Sequence, residues 1–313
     1  MKKQFGISLA AMGLLLVFTP VAAQEANELT GRWDLEVQYG EHWLPSWLEV
    51  EQSGNKALVG HFVSIAGSAR PISEVHQKDG LFSFSIPPQW MGSQYMQLTG
   101  TVNTDAMEGT ILDHSGQPHA FRGRRAPQLL HDAPGAWSNP RPLLATNSLE
   151  GWVAAPGRGE NQWIVKDGVL SSPQSGVNLM TSERFEDFKL HIEFRIPEGS
   201  NSGVYLRGRY EVQVEDSRGK EPNSHFLGGI YGFLTPNENV AGNPGEWQVY
   251  DITLVGRRVT VEANGKTIIY NQIIPGITGG ALDSREGEPG PILLQGDHGP
   301  VEYRNITVAT PVR

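Results

Sequence analysis

The chain has 313 residues, with 25 Lys and Arg against 34 Asp and Glu and no cysteine. The acidic excess argues against a nucleic-acid partner, because such affinity rests on cations that neutralise phosphate. The missing cysteine excludes disulfides and thiolate metal sites, and the length fits two domains.

The N-terminal segment reads as a secretion signal. Lys2 and Lys3 precede an apolar run from Phe5 to Phe18, and Val21-Ala22-Ala23 supplies small residues for cleavage. The run is too short for a membrane span and breaks at Pro20. Residues 1–23 are therefore expected to be a signal peptide cleaved after Ala23. The expected location is periplasmic or extracellular, and the protein is not expected to be integral to a membrane.

From 27 to 125 short alternating runs dominate. Trp33, Leu35, Val37 and Tyr39 alternate with Asp34, Glu36 and Gln38, the signature of a half-buried strand. Further strands are expected near 47–53, 57–65, 69–76, 81–86, 94–102, 107–113 and 118–124. Turn residues such as Ser53-Gly54-Asn55 and Lys78-Asp79-Gly80 separate them. This density predicts a small β-barrel or sandwich. Gly31-Arg32-Trp33 resembles the Gly-x-Trp opening of lipocalin-like barrels. Residues 126–146 carry Pro127, Pro134, Pro140 and Pro142 and read as a linker.

The second domain, 147–311, is also all-β. Phe188, Leu190, Ile192, Phe194 and Ile196 alternate with Lys189, His191, Glu193 and Arg195. After a turn at Pro197–Gly199, Val204, Leu206, Tyr210, Val212 and Val214 take one parity. Tyr205, Arg207, Arg209, Glu211, Gln213 and Glu215 take the other. Period-two geometry sends the two sets to opposite faces, one apolar and one densely polar. Gly208 interrupts the run, and a bulge there would change the parity of the residues beyond it. Later strands are expected at 247–255, 258–263, 266–270, 291–295 and 301–308. Asn264-Gly265 signals a type I′ hairpin. No βαβ rhythm is visible.

Two readings fit the polar face: an ordinary wet face laced with ion pairs, or a carbohydrate-sized recognition surface. In the second, Gln213 and Glu211 meet hydroxyls and the Arg207 fork holds a carbonyl or carboxylate. The glycine-rich stretch 223–244, with His225 and Tyr231, is a long loop of the kind that forms ligand sites. Trp247 suits either the core or stacking on a sugar. His298, in Gln295-Gly-Asp-His-Gly-Pro300, is the best proton-transfer candidate, because imidazole titrates near neutrality. His191, His225, His298, Glu211 and Asp216 could supply metal ligands, but no close ligand pair stands out. His-Glu-x-x-His, Gly-x-Ser-x-Gly and phosphate-loop motifs are absent.

Residues 148–309 resemble the 3-keto-disaccharide hydrolase domain family. The resemblance is carried by Asn201-Ser-Gly-Val-Tyr-Leu-Arg207, Tyr210-Glu-Val-Gln-Val-Glu-Asp216, Pro244-Gly-Glu-Trp247, Tyr250-Asp251 and Gln295-Gly-Asp-His-Gly299. It implies a concanavalin-like jelly-roll sandwich and action on glycosides oxidised at carbon 3. A 3-keto group acidifies the carbon-2 proton. Its removal lets the carbon-1 substituent leave by elimination, with or without later hydration. Under this resemblance His298, Glu211 and Arg207 are the expected catalytic residues. Tyr205, Gln213, Asp216, Glu246, Trp247 and His191 are the expected substrate contacts. A divalent metal is compatible as the electrophile, although no cofactor is fixed. The expected partner is an oxidised glycoside or oligosaccharide. The alternatives are a non-catalytic carbohydrate-binding protein and a conventional glycosidase with paired carboxylates.

Overall fold

A computed structural model describes residues 28–90, 92–157 and 159–312. The expected signal peptide lies outside them. The described residues form 22 strands and no helix. No helix among them is long and apolar enough to cross a membrane.

Nine strands make the first unit: β1 (Gly31–Tyr39), β2 (His42–Ser53), β3 (Ala57–Val63), β4 (Arg70–Ile72), β5 (Val75–Lys78), β6 (Leu81–Ile86), β7 (Met96–Val102), β8 (Ala106–Leu112) and β9 (Pro118–Arg125). The stretch expected as one strand over 69–76 is two, broken at Ser73-Glu74. The sheet order is β4-β3-β2-β1-β9-β8-β7-β6-β5, with β9 returning to pair with β1. β3 and β4 also approach β5 and β6, so the sheet curls into a nearly closed barrel. Alternation fills its interior with Trp33, Leu35, Val37, Leu48, Phe62, Phe82, Phe84, Leu98 and Phe121.

The segment 126–146 runs along the second unit. Leu129 accepts from the Arg257 amide, and β10 (Arg141–Pro142) pairs with the last strand of the chain. Next come β11 (Trp152–Ala154), β12 (Ile164–Lys166), β13 (Val169–Ser172), β14 (Leu179–Thr181), β15 (Phe188–Arg195), β16 (Asn201–Leu206) and β17 (Tyr210–Glu215). The chain ends with β18 (Gln248–Val255), β19 (Arg258–Ala263), β20 (Lys266–Ile273), β21 (Leu293–Leu294) and β22 (Val301–Ala309). A large sheet, β12-β13-β22-β15-β18-β19-β20 with β10 beside β22, packs on a smaller one, β11-β14-β21-β16-β17. Phe188, Leu190, Ile192 and Phe194 of the first sheet and Val204, Leu206, Tyr210, Val212 and Val214 of the second share one apolar core. Asn264 and Gly265 both have left-handed φ (51° and 77°), as a type I′ turn requires.

The two units meet over a buried contact. Trp47 and Val63 point out of the barrel and join the sandwich core, where Trp47 meets Phe233 edge-on at 5.3 Å. Asp34, on the same outer face of β1, is buried beside Glu286 of the 275–290 segment. Burial first, then the Glu286 charge, pushes the Asp34 carboxyl well above its ordinary range. Glu286 also accepts from Tyr210 Oη (2.6 Å) and Arg257 Nη2 (2.5 Å).

Candidate functional site

The outer face of the small sheet carries the candidate site. The register sets Tyr205 of β16 beside Glu211 of β17, and Gly203 beside Gln213. On the other side of β16, Leu293 stands beside Tyr205, and the Gln295 amide donates to the Gly203 carbonyl at 2.9 Å. One row is therefore Leu293, Tyr205 and Glu211; the next is Gln295, Gly203 and Gln213. The missing side chain at Gly203 leaves a notch between two glutamines. The Glu211 carboxyl leans into it so closely that a Cβ on Gly203 would overlap its Oε1. The Oε1 atoms of Gln213 and Gln295 are both buried without a hydrogen-bond partner. Such acceptors are costly unless a donor meets them.

Glu211 is buried at 3% exposure. Tyr205 Oη donates to its Oε2 at 2.9 Å and also lies 3.0 Å from the Gly279 carbonyl oxygen. Burial pushes the Glu211 carboxyl up to about 8, against the opposing effects of the Tyr205 hydrogen bond and the His298 charge. Glu211 is therefore protonated near neutral pH. His298 is half-exposed, and its Nδ1 is 2.8 Å from Asp297 Oδ1. That hydrogen bond raises the imidazole above its ordinary value against burial, and the charges of Asp297 and Glu211 add to the rise. Glu211 and His298 thus lie within electrostatic reach of each other. Tyr231 completes the group: burial, then Glu211 and Glu215, push its phenol up to about 12. His225 packs edge-on against Tyr231 at 5.0 Å, and Gln213 Nε2 donates to the His225 carbonyl at 3.2 Å.

The sequence profile of the 3-keto-alpha-glucoside-1,2-lyase-like domain matches residues 139–309, which include every residue of this group. The chain belongs to that family. It is accordingly a member of a carbohydrate-active family. No curated protein matches the chain. Among solved structures it is similar to a protein from Parabacteroides distasonis provisionally assigned as a glycosyl hydrolase. The identity is 28%, covering 57% of this chain and 92% of that one, with a TM-score of 0.48. A second such protein from that organism is 26% identical, over 55% of this chain and 100% of that one, at 0.44. A carbohydrate-binding module from Bacillus subtilis is 12% identical, over 50% and 94%, at 0.36.

Four residues expected at the site, Arg207, Glu246, Trp247 and His191, lie elsewhere, whereas Asp216 borders the His298 loop through Ser200. Arg207 sits in the β16–β17 turn with φ of 53° and is buried on the barrel side. Its Nη2 donates to Tyr210 Oη (2.9 Å) and the Gly256 carbonyl (3.3 Å), within the Glu286 network. The turn Arg207–Arg209 takes both arginines out of the alternation, while Glu211 and Gln213 keep the parity of Tyr205. Asp216, at the far end of β17, accepts the Gly199 amide at 2.9 Å. Glu246 is exposed on the loop before β18, where it accepts the Asn243 amide and side chain. Trp247 lies against the large sheet, with the Arg304 and Arg195 guanidiniums 4.0 and 4.8 Å from its ring centroid. His191 is on the outer face of that same sheet, paired with Asp251 at 2.8 Å. An apolar core separates these last two from Glu211.

Among the described residues no three His, Cys, Asp or Glu side chains converge to hold a metal ion. No step is assigned to a metal. The segment Thr278–Gly280 escaped sequence reasoning. Thr278 Oγ1 accepts the Glu211 amide (3.0 Å), and a Cβ on Gly280 would come within 2.6 Å of Tyr205 Oη. Nothing in its composition announces that it backs the site.

Proposed function

We propose that the chain cleaves the glycosidic bond of 3-keto-glycosides by elimination. Neutral His298 takes the carbon-2 proton. The freed electron pair forms the C1=C2 double bond, and the C1–O bond breaks. Protonated Glu211 delivers its proton to the departing oxygen. The products are an enone sugar and an alcohol. Water can then add across the double bond, hydroxyl to carbon 1 and proton to carbon 2, giving the net hydrolysis products. Tyr205 orients the Glu211 carboxyl, and the two glutamine oxygens accept from sugar hydroxyls. Asp297 holds the imidazole and stabilises its protonated form.

The observation that supports this reading is a buried carboxyl, its proton affinity raised by burial, within electrostatic reach of a histidine oriented by Asp297. One acid and one base suffice for elimination from a keto sugar, whereas ordinary glycoside hydrolysis uses two carboxyl groups across the bond. The test is to incubate the protein with a 3-keto-disaccharide and with its unoxidised parent, and to weigh the products. Cleavage of the keto form alone is expected, with H298A and E211Q each losing at least a hundredfold in kcat. Cleavage of both sugars would favour a conventional glycosidase. Binding without turnover would favour a carbohydrate-binding protein.

A further inference from the structure

The mouth of the barrel opens into a cavity of about 390 Å³, and no residue of the Glu211 group is among those that line it. Tyr39, Arg70, Gln89, Trp90, Met96 and His114 line it. Arg70 is only 7% exposed. A buried arginine ordinarily finds a carboxylate, because an unpaired charge out of water is costly. This one does not. Its Nη1 donates to the Pro87 carbonyl at 3.0 Å, both terminal nitrogens lie 3.7 Å from the Met96 sulfur, and Nε has no acceptor. Among the described residues no carboxylate stands within salt-bridge distance of Arg70.

The acid on the lining is already engaged. Asp113 accepts from the Ser115 amide and hydroxyl (2.8 and 2.7 Å) and the Gln117 amide (2.9 Å), and lies 3.2 Å from His119 Nε2. His114 Nδ1 is also buried without a partner. Trp90 is the opposite case, 65% exposed. Gly67 brings the backbone close to its ring, and a Cβ there would sit 3.2 Å from it. The cavity thus combines a buried cation lacking a counter-charge with an exposed aromatic ring at its edge.

We infer that the barrel mouth is a binding site for a small, single-ring carboxylic acid, held by Arg70 at its carboxylate and by Trp90 on a flat apolar face. The guanidinium fork matches a carboxylate, and the indole matches either an aromatic ring or the apolar face of a sugar. Sugar acids and aromatic acids share this chemistry. The site shares no lining residue with the Glu211 group, and the inference does not rest on the activity proposed for that group.

Isothermal titration of the full chain tests this with D-glucuronate and benzoate, each paired with a neutral counterpart, D-glucose and benzyl alcohol. At least one acid is expected to bind at least tenfold more tightly than its counterpart, and the better acid names the source. R70M is expected to weaken that binding at least tenfold, and W90A at least fivefold. E211Q and H298A are expected to leave it unchanged. W90A alters an exposed ring, so it carries the test if R70M does not fold. Failure of both acids to bind at millimolar concentration would overturn the site. So would equal binding of the neutral compounds, or binding lost in E211Q but kept in W90A.

Discussion

At Glu211 one carboxyl affects both rate and stability. Its proton is retained up to about pH 8 because burial outweighs the Tyr205 hydrogen bond and the His298 charge. The proposed elimination needs neutral His298 and protonated Glu211. The kcat/KM profile on a 3-keto-disaccharide should therefore rise as His298 deprotonates and fall as pH passes about 8. The two limbs belong to the coupled pair. E211Q should remove the alkaline limb from whatever activity remains. The same group makes the fold sensitive to pH. The unfolded carboxyl ionises near its ordinary value of 4.5, so wild-type stability should decline between there and about 8. Each tenfold change in proton affinity is worth about 1.4 kcal/mol. Melting temperatures from pH 5 to 9 should show E211Q gaining on wild type as pH rises. A flat difference would mean that Glu211 is not held neutral. Gly203 is the other critical position. A methyl group there would displace the Glu211 carboxyl, so G203A should lose turnover of the keto sugar by at least tenfold while the circular dichroism spectrum stays unchanged.

At the scale of elements, the β16–β17 hairpin turns a polar alternation into two separate neighbourhoods. Tyr205, Glu211 and Gln213 line one face, as alternation through Val204, Leu206, Val212 and Val214 requires. Arg207 and Arg209 share their parity in the sequence yet lie in the turn. Arg207 joins Tyr210, Glu286 and Arg257, and Arg209 pairs with Asp283 at 2.7 Å. Sequence reasoning could read the faces of the strands, because burial imposes period two. It could not read the turn, where left-handed φ at Arg207 redirects the side chain. His298 and Glu211 are 87 positions apart, and the same polar content could have come from His191 or Glu246. Only the pairing of β21 with β16 decides between them. The long-range partners of the arginines were likewise invisible. R257A should cost about 3–5 kcal/mol, because it strands Glu286 as a buried, unpaired charge. Urea unfolding measures that cost, and a loss below 1 kcal/mol would show that water reaches the network.

Across the whole molecule, the barrel and sandwich share buried surface through Trp47, Val63 and Phe233. Alternation in β1 made the barrel interior legible. The burial of Asp34 on its outer face was not, because a second unit covers it. W47A removes a side chain that the sandwich core counts as its own, so it should cost about 3–5 kcal/mol. Heating followed by both near- and far-ultraviolet circular dichroism should show one transition shifted downward. A shifted barrel transition beside an unmoved sandwich transition would mean that the shared surface contributes little.

Where the barrel loop meets the segment behind Tyr205, the contact is largely backbone on backbone. The Gly280 amide donates to the Ile65 carbonyl at 3.1 Å, and Gly279 lies flush against Gly67. A seam of this kind is indifferent to most side-chain substitutions at Ile65 and Ala66, because the atoms that touch are common to every residue. It does not tolerate a change in loop length, since one inserted residue would shift the carbonyl out of register and release Gly279, whose oxygen lies against the Tyr205 hydroxyl. Positions 65 and 66 are thus free to drift in sequence, whereas Gly67 is held to glycine by its left-handed backbone and close neighbours and the loop is fixed in length.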